Sequence, residues 1–305
     1  MLYNKFRHLN IVNYAIRAMY SKLGHAEVSS FQRGLHLDDF QMGMPRDLLL
    51  RIQYIARKLA IYYRLPFGTA VVRFNDYLES AACIDLTSSP DYFIEVNPRI
   101  VRELEDILAV LAHEITHAYL YCRDLVFPDS IDNEILTDTV ATYLGLGTLL
   151  LNAYAYQLID QSAQNVITKW YGYISPEEFG YILAKRSQKF SEDPEEHLIF
   201  RDGRNAFYSG SALLESEYKL APLKDATYIS RLLYFYNRKR ALDKLKTKVP
   251  FSREYLKLGY SFECDLRLQV IFKCRLCLQK LRIPSCNELI SVRCPTCGAS
   301  YICRT

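Results

Sequence analysis

No apolar run in this 305-residue chain reaches the roughly 20 residues that a membrane-spanning helix requires. The N-terminal stretch is broken by Lys5, Arg7, His8, Asn13 and Arg17, which argues against a signal peptide. A cytoplasmic protein without a membrane partner is therefore expected. Tryptophan is nearly absent (1 residue) while tyrosine is abundant (24). There is no internal repeat and no low-complexity tract. What remains is an ordinary globular composition, long enough for one large domain or two unequal ones. An even disulfide framework is also missing. The nine cysteines are odd in number, and six of them fall from Cys274 onward. In a long chain with no export signal, such a cluster reads as metal ligands.

The net charge of +4 conceals an asymmetry. Residues 231–305 hold 16 Lys and Arg against 5 Asp and Glu, a balance of +11, so the preceding 230 residues carry −7. A basic tail on an acidic body is either a solvated surface, a contact within the chain, or a site for an acidic partner such as nucleic acid.

Apolar spacing predicts helices over 10–23 and 46–64, the second stopping before Pro66. Two stretches of strand character, 81–86 and 92–96, are joined by the turn-forming Thr-Ser-Ser-Pro-Asp and predict a hairpin. Asn97 and Pro98 are a favoured pair for a helix start, which predicts a helix over about 98–122. A further long helix is expected from Asp132 to Ile159. Another is expected from Ser175, whose partner Glu178 completes a capping box, and a last one over 225–246. The fold class expected is α+β and mostly helical. Its expected parts are residues 1–160 around the small sheet, a helical extension over 161–262, and a small cysteine-rich β domain over 263–305.

Histidine is scarce, with six residues, yet two lie four apart in Val110–Leu120, VLAHEITHAYL. On a helix, i and i+4 share a face one turn apart, so His113 and His117 can offer two imidazole nitrogens to one zinc ion. Glu114, rotated about 100° from His113, stands beside that metal, where a general base must be. An HExxH run arises by chance about once in a hundred chains of this length and composition. A catalytic zinc takes three protein ligands. Seventeen residues after His117 comes NEILTD, with Glu134 and Asp138 again at i and i+4. Glu134 can be the third ligand, and Asp138 can accept the spare imidazole N–H that fixes a histidine's tautomer.

The pairing of His113-Glu114-x-x-His117 with Asn133-Glu134-x-x-Thr137-Asp138 resembles the gluzincin metallopeptidase pattern, and most of all the compact intracellular gluzincins of the ImmA/IrrE type. The resemblance spans roughly residues 50–150. It implies a minimal zincin domain and hydrolysis of protein or peptide substrates by zinc-activated water, with Glu114 as base. It also implies an edge strand, here Tyr92–Val96, that aligns the peptide. Such enzymes often add a Tyr or His that stabilises the oxyanion. His197 and Tyr208 are candidates among several tyrosines, and no motif selects one.

Cys274-x-x-Cys277 and Cys294-x-x-Cys297 stand 16 residues apart and predict a closed, structural four-cysteine zinc site, with Gly298 suiting the turn after the second pair. The segment resembles a zinc ribbon, so the zinc complement expected is one catalytic and one structural ion. A ribbon of this size depends on the metal for folding energy. Lys273, Arg275, Lys280, Arg282 and Arg293 would suit recognition of nucleic acid or of protein. Cys286 and Cys303 are expected to be small core residues, and Cys83, Cys122 and Cys264 buried apolar ones. Two other readings remain open. A SprT-like protease acting at DNA would take a third histidine, and only His197 follows His117. A non-catalytic ribbon-bearing adaptor on a zincin scaffold would need the ligands but not Glu114.

Overall fold

The chain is described by a computed structural model over residues 5–66, 70–87, 91–99, 101, 103–153, 157–159, 166–168, 172–246, 251–255, 258–264 and 267–305. It is an α+β protein in two compact units, Met1–Ser211 and Ala212–Thr305.

In the first unit, helices α1 (Leu9–Ser29), α2 (Asp38–Gln41) and α3 (Leu48–Tyr62) precede a three-stranded sheet. The sheet comprises β1 (Ala70–Phe74), β2 (Ala82–Asp85) and β3 (Tyr92–Val96), in the order β1-β3-β2. The expected hairpin forms: β2 and β3 are antiparallel, with Ala82 opposite Val96 and Ile84 opposite Ile94. Its turn residues 88–90 lie outside the described residues. Strand β1, not foreseen in the sequence, pairs in parallel with β3, Ala70 opposite Tyr92. Tyr92–Val96 is therefore the central strand, and β1 and β2 are the two edges. This corrects the edge-strand expectation, because a strand paired on both sides has no free backbone groups to offer.

Helix α4 (Leu104–Cys122) begins six residues later than Asn97–Pro98 suggests. Glu103 is its N-cap, in a reciprocal capping box with Asp106. Asn97 instead closes β3, donating from its side chain to Leu78 O at 2.7 Å and accepting from Arg99 N at 2.9 Å. Residues 100 and 102 lie outside the described residues. Helix α4 is buried along Ile107, Leu108, Leu111, Ile115 and Ala118.

The long helix expected over 132–159 is broken. Helix α5 (Ser130–Ala141), N-capped by the Asp129 carboxylate, passes through one π-helical turn (Thr142–Leu146) into α6 (Gly147–Ala153). Residues 154–156 lie outside the described residues, and Gln157–Ile159 form β4, paired with β5 (Val166–Thr168). The break sits at Gly145, whose φ of 112° favours glycine. A Cβ there would meet Tyr62 Oη at 2.6 Å and Gly34 Cα at 2.8 Å. The carbonyls loosened by the break have partners. Buried Arg186 donates to Tyr143 O at 2.8 Å, and Tyr62 Oη donates to Leu144 O. Arg186 lies on α7 (Pro176–Phe190), which starts with the foreseen Ser175–Glu178 capping box. Helix α8 (Arg201–Tyr218) was not foreseen. Its Gly210 and Gly180 of α7 lie where a Cβ would meet backbone at 2.1 Å, so the two helices cross in close contact.

In the second unit, α9 (Tyr228–Lys246) lies against a four-stranded antiparallel meander. Its strands are β6 (Phe251–Tyr255), β7 (Tyr260–Cys264), β8 (Leu268–Lys273) and β9 (Lys280–Pro284). A separate hairpin pairs β10 (Leu289–Arg293) with β11 (Ser300–Arg304). Tyr260, Phe262, Val270, Phe272, Leu281 and Ile283 alternate onto the buried side with Tyr234 of α9. Among the described residues, no helix is long and apolar enough to cross a membrane.

Candidate metal centres

The two turns of α4 and the first two turns of α5 face each other, and three side chains meet between them. Glu134 Oε2 lies 2.9 Å from His113 Nε2 and 3.1 Å from His117 Nε2, and the two Nε2 atoms are 3.0 Å apart. Each imidazole is held from behind. Asp138, fully buried, approaches His113 Nδ1 at 2.8 Å through Oδ1 and accepts from Tyr173 N at 2.6 Å through Oδ2. Thr137 Oγ1 lies 3.1 Å from His117 Nδ1 and gives its own proton to Asn133 O.

These supports assign the tautomers. A carboxylate only accepts, and a hydroxyl whose proton is already donated only accepts, so both Nδ1 atoms carry hydrogen. Both Nε2 atoms then turn lone pairs toward Glu134 Oε2. Three acceptor atoms at about 3 Å repel one another unless a positive charge sits among them. Four-coordinate ligands at about 2.05 Å from zinc stand roughly 3.3 Å apart, so the spacing fits that ion with slight inward collapse. The surrounding carboxylates draw positive charge to this position, where a second proton on His113 competes with a metal ion. Burial alone would lower the pKa of His113, but Asp138, Glu134 and Glu114 outweigh it and raise it well above its ordinary value. Burial likewise works against ionising Glu134, yet the two imidazoles bring its pKa down to about 2.

Glu114 stands beside this group rather than in it. Burial pushes its pKa up, His113 and His117 counter in part, and the Ile84 backbone amide of β2 hydrogen-bonds its carboxylate. A cleft of about 650 Å³ opens over these residues. Edge strand β2 lines it through Ala82, Cys83 and Ile84, and Tyr173 and Leu150 also border it. The Tyr173 ring is stacked near His113 (centroids 6.0 Å apart) and is 48% exposed. Burial, Glu134, Asp138 and Glu114 together raise its pKa. Sequence reasoning had no means of selecting Tyr173, which lies 35 residues beyond Asp138 in no motif. Thr137 did carry a signal, its i+3 spacing from Glu134 on one helix face.

The other candidates stand elsewhere. His197 ends a short 3-10 turn and stacks on His36, centroids 3.5 Å apart. Tyr208 donates to Glu195 and does not line the cleft. Glu134, not His197, stands with the two histidines.

The second centre is in the C-terminal unit. Cys274, Cys277, Cys294 and Cys297 are buried with their sulfurs within 4.8 Å of one another. The Cys274–Cys297 and Cys277–Cys294 sulfurs are each 3.5 Å apart. Thiolates about 2.3 Å from zinc lie roughly 3.8 Å apart, so the cluster fits a structural zinc site. The two knuckles are built alike. Leu278 N donates to Cys274 O and Gly298 N to Cys294 O, each at 2.9 Å. Gly298 has φ 73° as its sequence position suggests, and Leu278 adopts φ 59° at the matching place.

The remaining cysteines divide. Cys303 is buried, as expected, and its thiol is pushed up to about 12 by burial. Cys286 is exposed, which corrects the core expectation. Cys83 and Cys122 are exposed as well, against the expectation that they are buried. Cys83 alternates to the side of β2 opposite Ala82 and Ile84, and Cys122 is the last residue of α4. The Cys264 side chain lies outside the described residues.

Comparison with protein-family models, with curated proteins and with solved structures gives no match.

Proposed function

We propose that the chain is a zinc-dependent metallopeptidase of gluzincin type. The observation that carries this reading is the convergence of His113 Nε2, His117 Nε2 and Glu134 Oε2, with both Nδ1 atoms held by acceptors and Glu114 alongside. Zinc held by these three residues supplies a Lewis acid that polarises a carbonyl and acidifies water. The chain's own residues do the rest. The Glu114 carboxylate takes a proton from the attacking water and returns it to the leaving amine. Edge strand β2 offers an extended peptide the outward backbone groups not already engaged by Glu114 and Ser80, which fixes the scissile bond over Glu114. The Tyr173 hydroxyl, at the cleft margin, is the donor best located to meet an oxyanion.

The test is elemental analysis joined to turnover of an unfolded protein such as casein. Two zinc ions per chain are expected in the wild type and in Glu114→Gln, with hydrolysis lost only in the variant. One zinc falling to none on mutating Cys274 would leave the histidine site empty and favour the adaptor reading, in which the zincin scaffold only binds.

A further inference from the structure

A second cleft, of about 690 Å³, lies wholly within the C-terminal unit, on the side of the β7–β9 sheet turned away from its core. The strand register explains what lines it. Ser261, Ile271 and Arg282 stand in one cross-strand row, and Lys273 stands directly opposite Lys280 in the next. Like charges facing each other across antiparallel strands are destabilising. Here two ammonium groups share one position of the ladder, with Arg282 two residues along the same strand. Arg275, only 5% exposed, also lines the cleft, beside Gly259, where a Cβ would stand 3.6 Å from its guanidinium.

Four cations therefore meet one carboxylate, that of Glu263, which holds Arg282 at 2.7 Å. The adjacent cysteine site explains part of this excess. Four thiolates on one divalent ion leave two negative charges, and buried Arg275 is the residue next to Cys274 in the chain. Lys273 and Lys280 are left over. Among the described residues neither has a carboxylate within ion-pair distance, although each is exposed.

The one exposed arginine fork in this cleft is held by Glu263, which leaves the two ammonium groups to meet a ligand. Ammonium groups are point charges that serve phosphate well. Tyr260 and Phe272, which border the cleft, alternate to the core side of the sheet and are 3% and 2% exposed, so no ring is free to stack on a base. We infer that this cleft binds the phosphodiester backbone of nucleic acid through Lys273 and Lys280, without reading its sequence. The inference does not depend on peptidase activity.

The test is fluorescence anisotropy with the full-length zinc-loaded chain and a labelled single-stranded 20-mer, titrated at several salt concentrations. Each lysine–phosphate contact on a single strand contributes about 0.7 to the slope of log affinity against log salt. Lys273→Ser with Lys280→Ser should lower that slope by about 1.4. A rise from 50 to 200 mM salt should then cost the wild type roughly sevenfold more affinity than the variant. Glu263→Gln, which frees Arg282, should bind more tightly and more salt-dependently, a gain that misfolding cannot imitate. A control pair in the other unit, Lys22→Ser with Arg33→Ser, removes equal charge. Equal weakening by that control, or no response to either cleft variant, would overturn the proposal. So would displacement of the oligonucleotide, at constant ionic strength, by inorganic phosphate or by poly-glutamate, since the site would then serve small anions or acidic peptides.

Discussion

Asp138 is the residue on which both the zinc-binding reading and the local fold converge, and replacing it by Asn tests the reading sharply. The side chain keeps its size, but only one of its two outer atoms still accepts. In the native site both accept: Oδ1 from His113 Nδ1, Oδ2 from Tyr173 N at 2.6 Å. Whichever way the amide turns, a donor faces a donor in a fully buried position. If the amide oxygen stays on His113, Tyr173 N loses its partner, and stability falls by about 1–3 kcal/mol. If it turns to Tyr173, His113 is pressed toward the wrong tautomer, its Nε2 protonated and unable to ligate. Loss of such a supporting carboxylate lowers metal affinity by about 10–100-fold, which is about 1.4–2.7 kcal/mol. The assay is competition for zinc against a chelator of known affinity, with the four-cysteine site as internal reference. A drop of at least tenfold in the weaker site, with the four-cysteine site unchanged, is the expected outcome. Zinc affinity within threefold of the wild type, with stability alone reduced, would refute the idea that Asp138 orients a ligand.

Tyr173→Phe should leave both zinc ions bound and reduce kcat by about 10²–10³-fold with little change in KM, read by steady-state peptide hydrolysis. Cys294→Ser should remove one zinc and unfold the C-terminal unit, seen as loss of its amide protection in hydrogen exchange, because a small metal domain draws its folding energy from the ion. Glu192 gives a pH-dependent test. Burial pushes its carboxyl up, but His36, Arg186 and the Gly34 amide outweigh it and hold the pKa at about 2, below the ordinary 4.5. A carboxyl depressed by folding stabilises at pH values above its unfolded pKa, and that stability is lost as pH falls toward the folded one. Glu192→Gln should therefore lower the unfolding midpoint at pH 6, with the difference shrinking between pH 4.5 and about 2 in a denaturant series.

The chemistry-bearing groups were legible in the chain because they depend on short-range geometry. His113 and His117, like Glu134 and Asp138, are paired by the 3.6-residue turn, and each CxxC knuckle is local. The Ser175–Glu178 capping box is local too, and it formed as expected. Less was legible where a local signal had a competitor. Asn97–Pro98 looked like a helix start, but the Glu103–Asp106 pair could satisfy the first amides of α4 reciprocally, while Asn97 was occupied with Leu78 and Arg99.

What the sequence by itself determined, then, is which side chains can share a helix face or a knuckle, since covalent spacing and backbone geometry decide that alone. The tertiary structure decided everything that depends on partners distant in the chain. The parallel pairing of β1 with β3 made β3 central and left β2 as the edge strand beside Glu114. The break at Gly145 depends on Arg186 and Tyr62, remote residues that supply donors to Tyr143 and Leu144. Tyr173 reached the cleft with its backbone amide bonded to Asp138. The facing of Lys273 and Lys280 exists only in the β8–β9 register, where a slip of one residue would turn every side chain of β9 to the other face of the sheet.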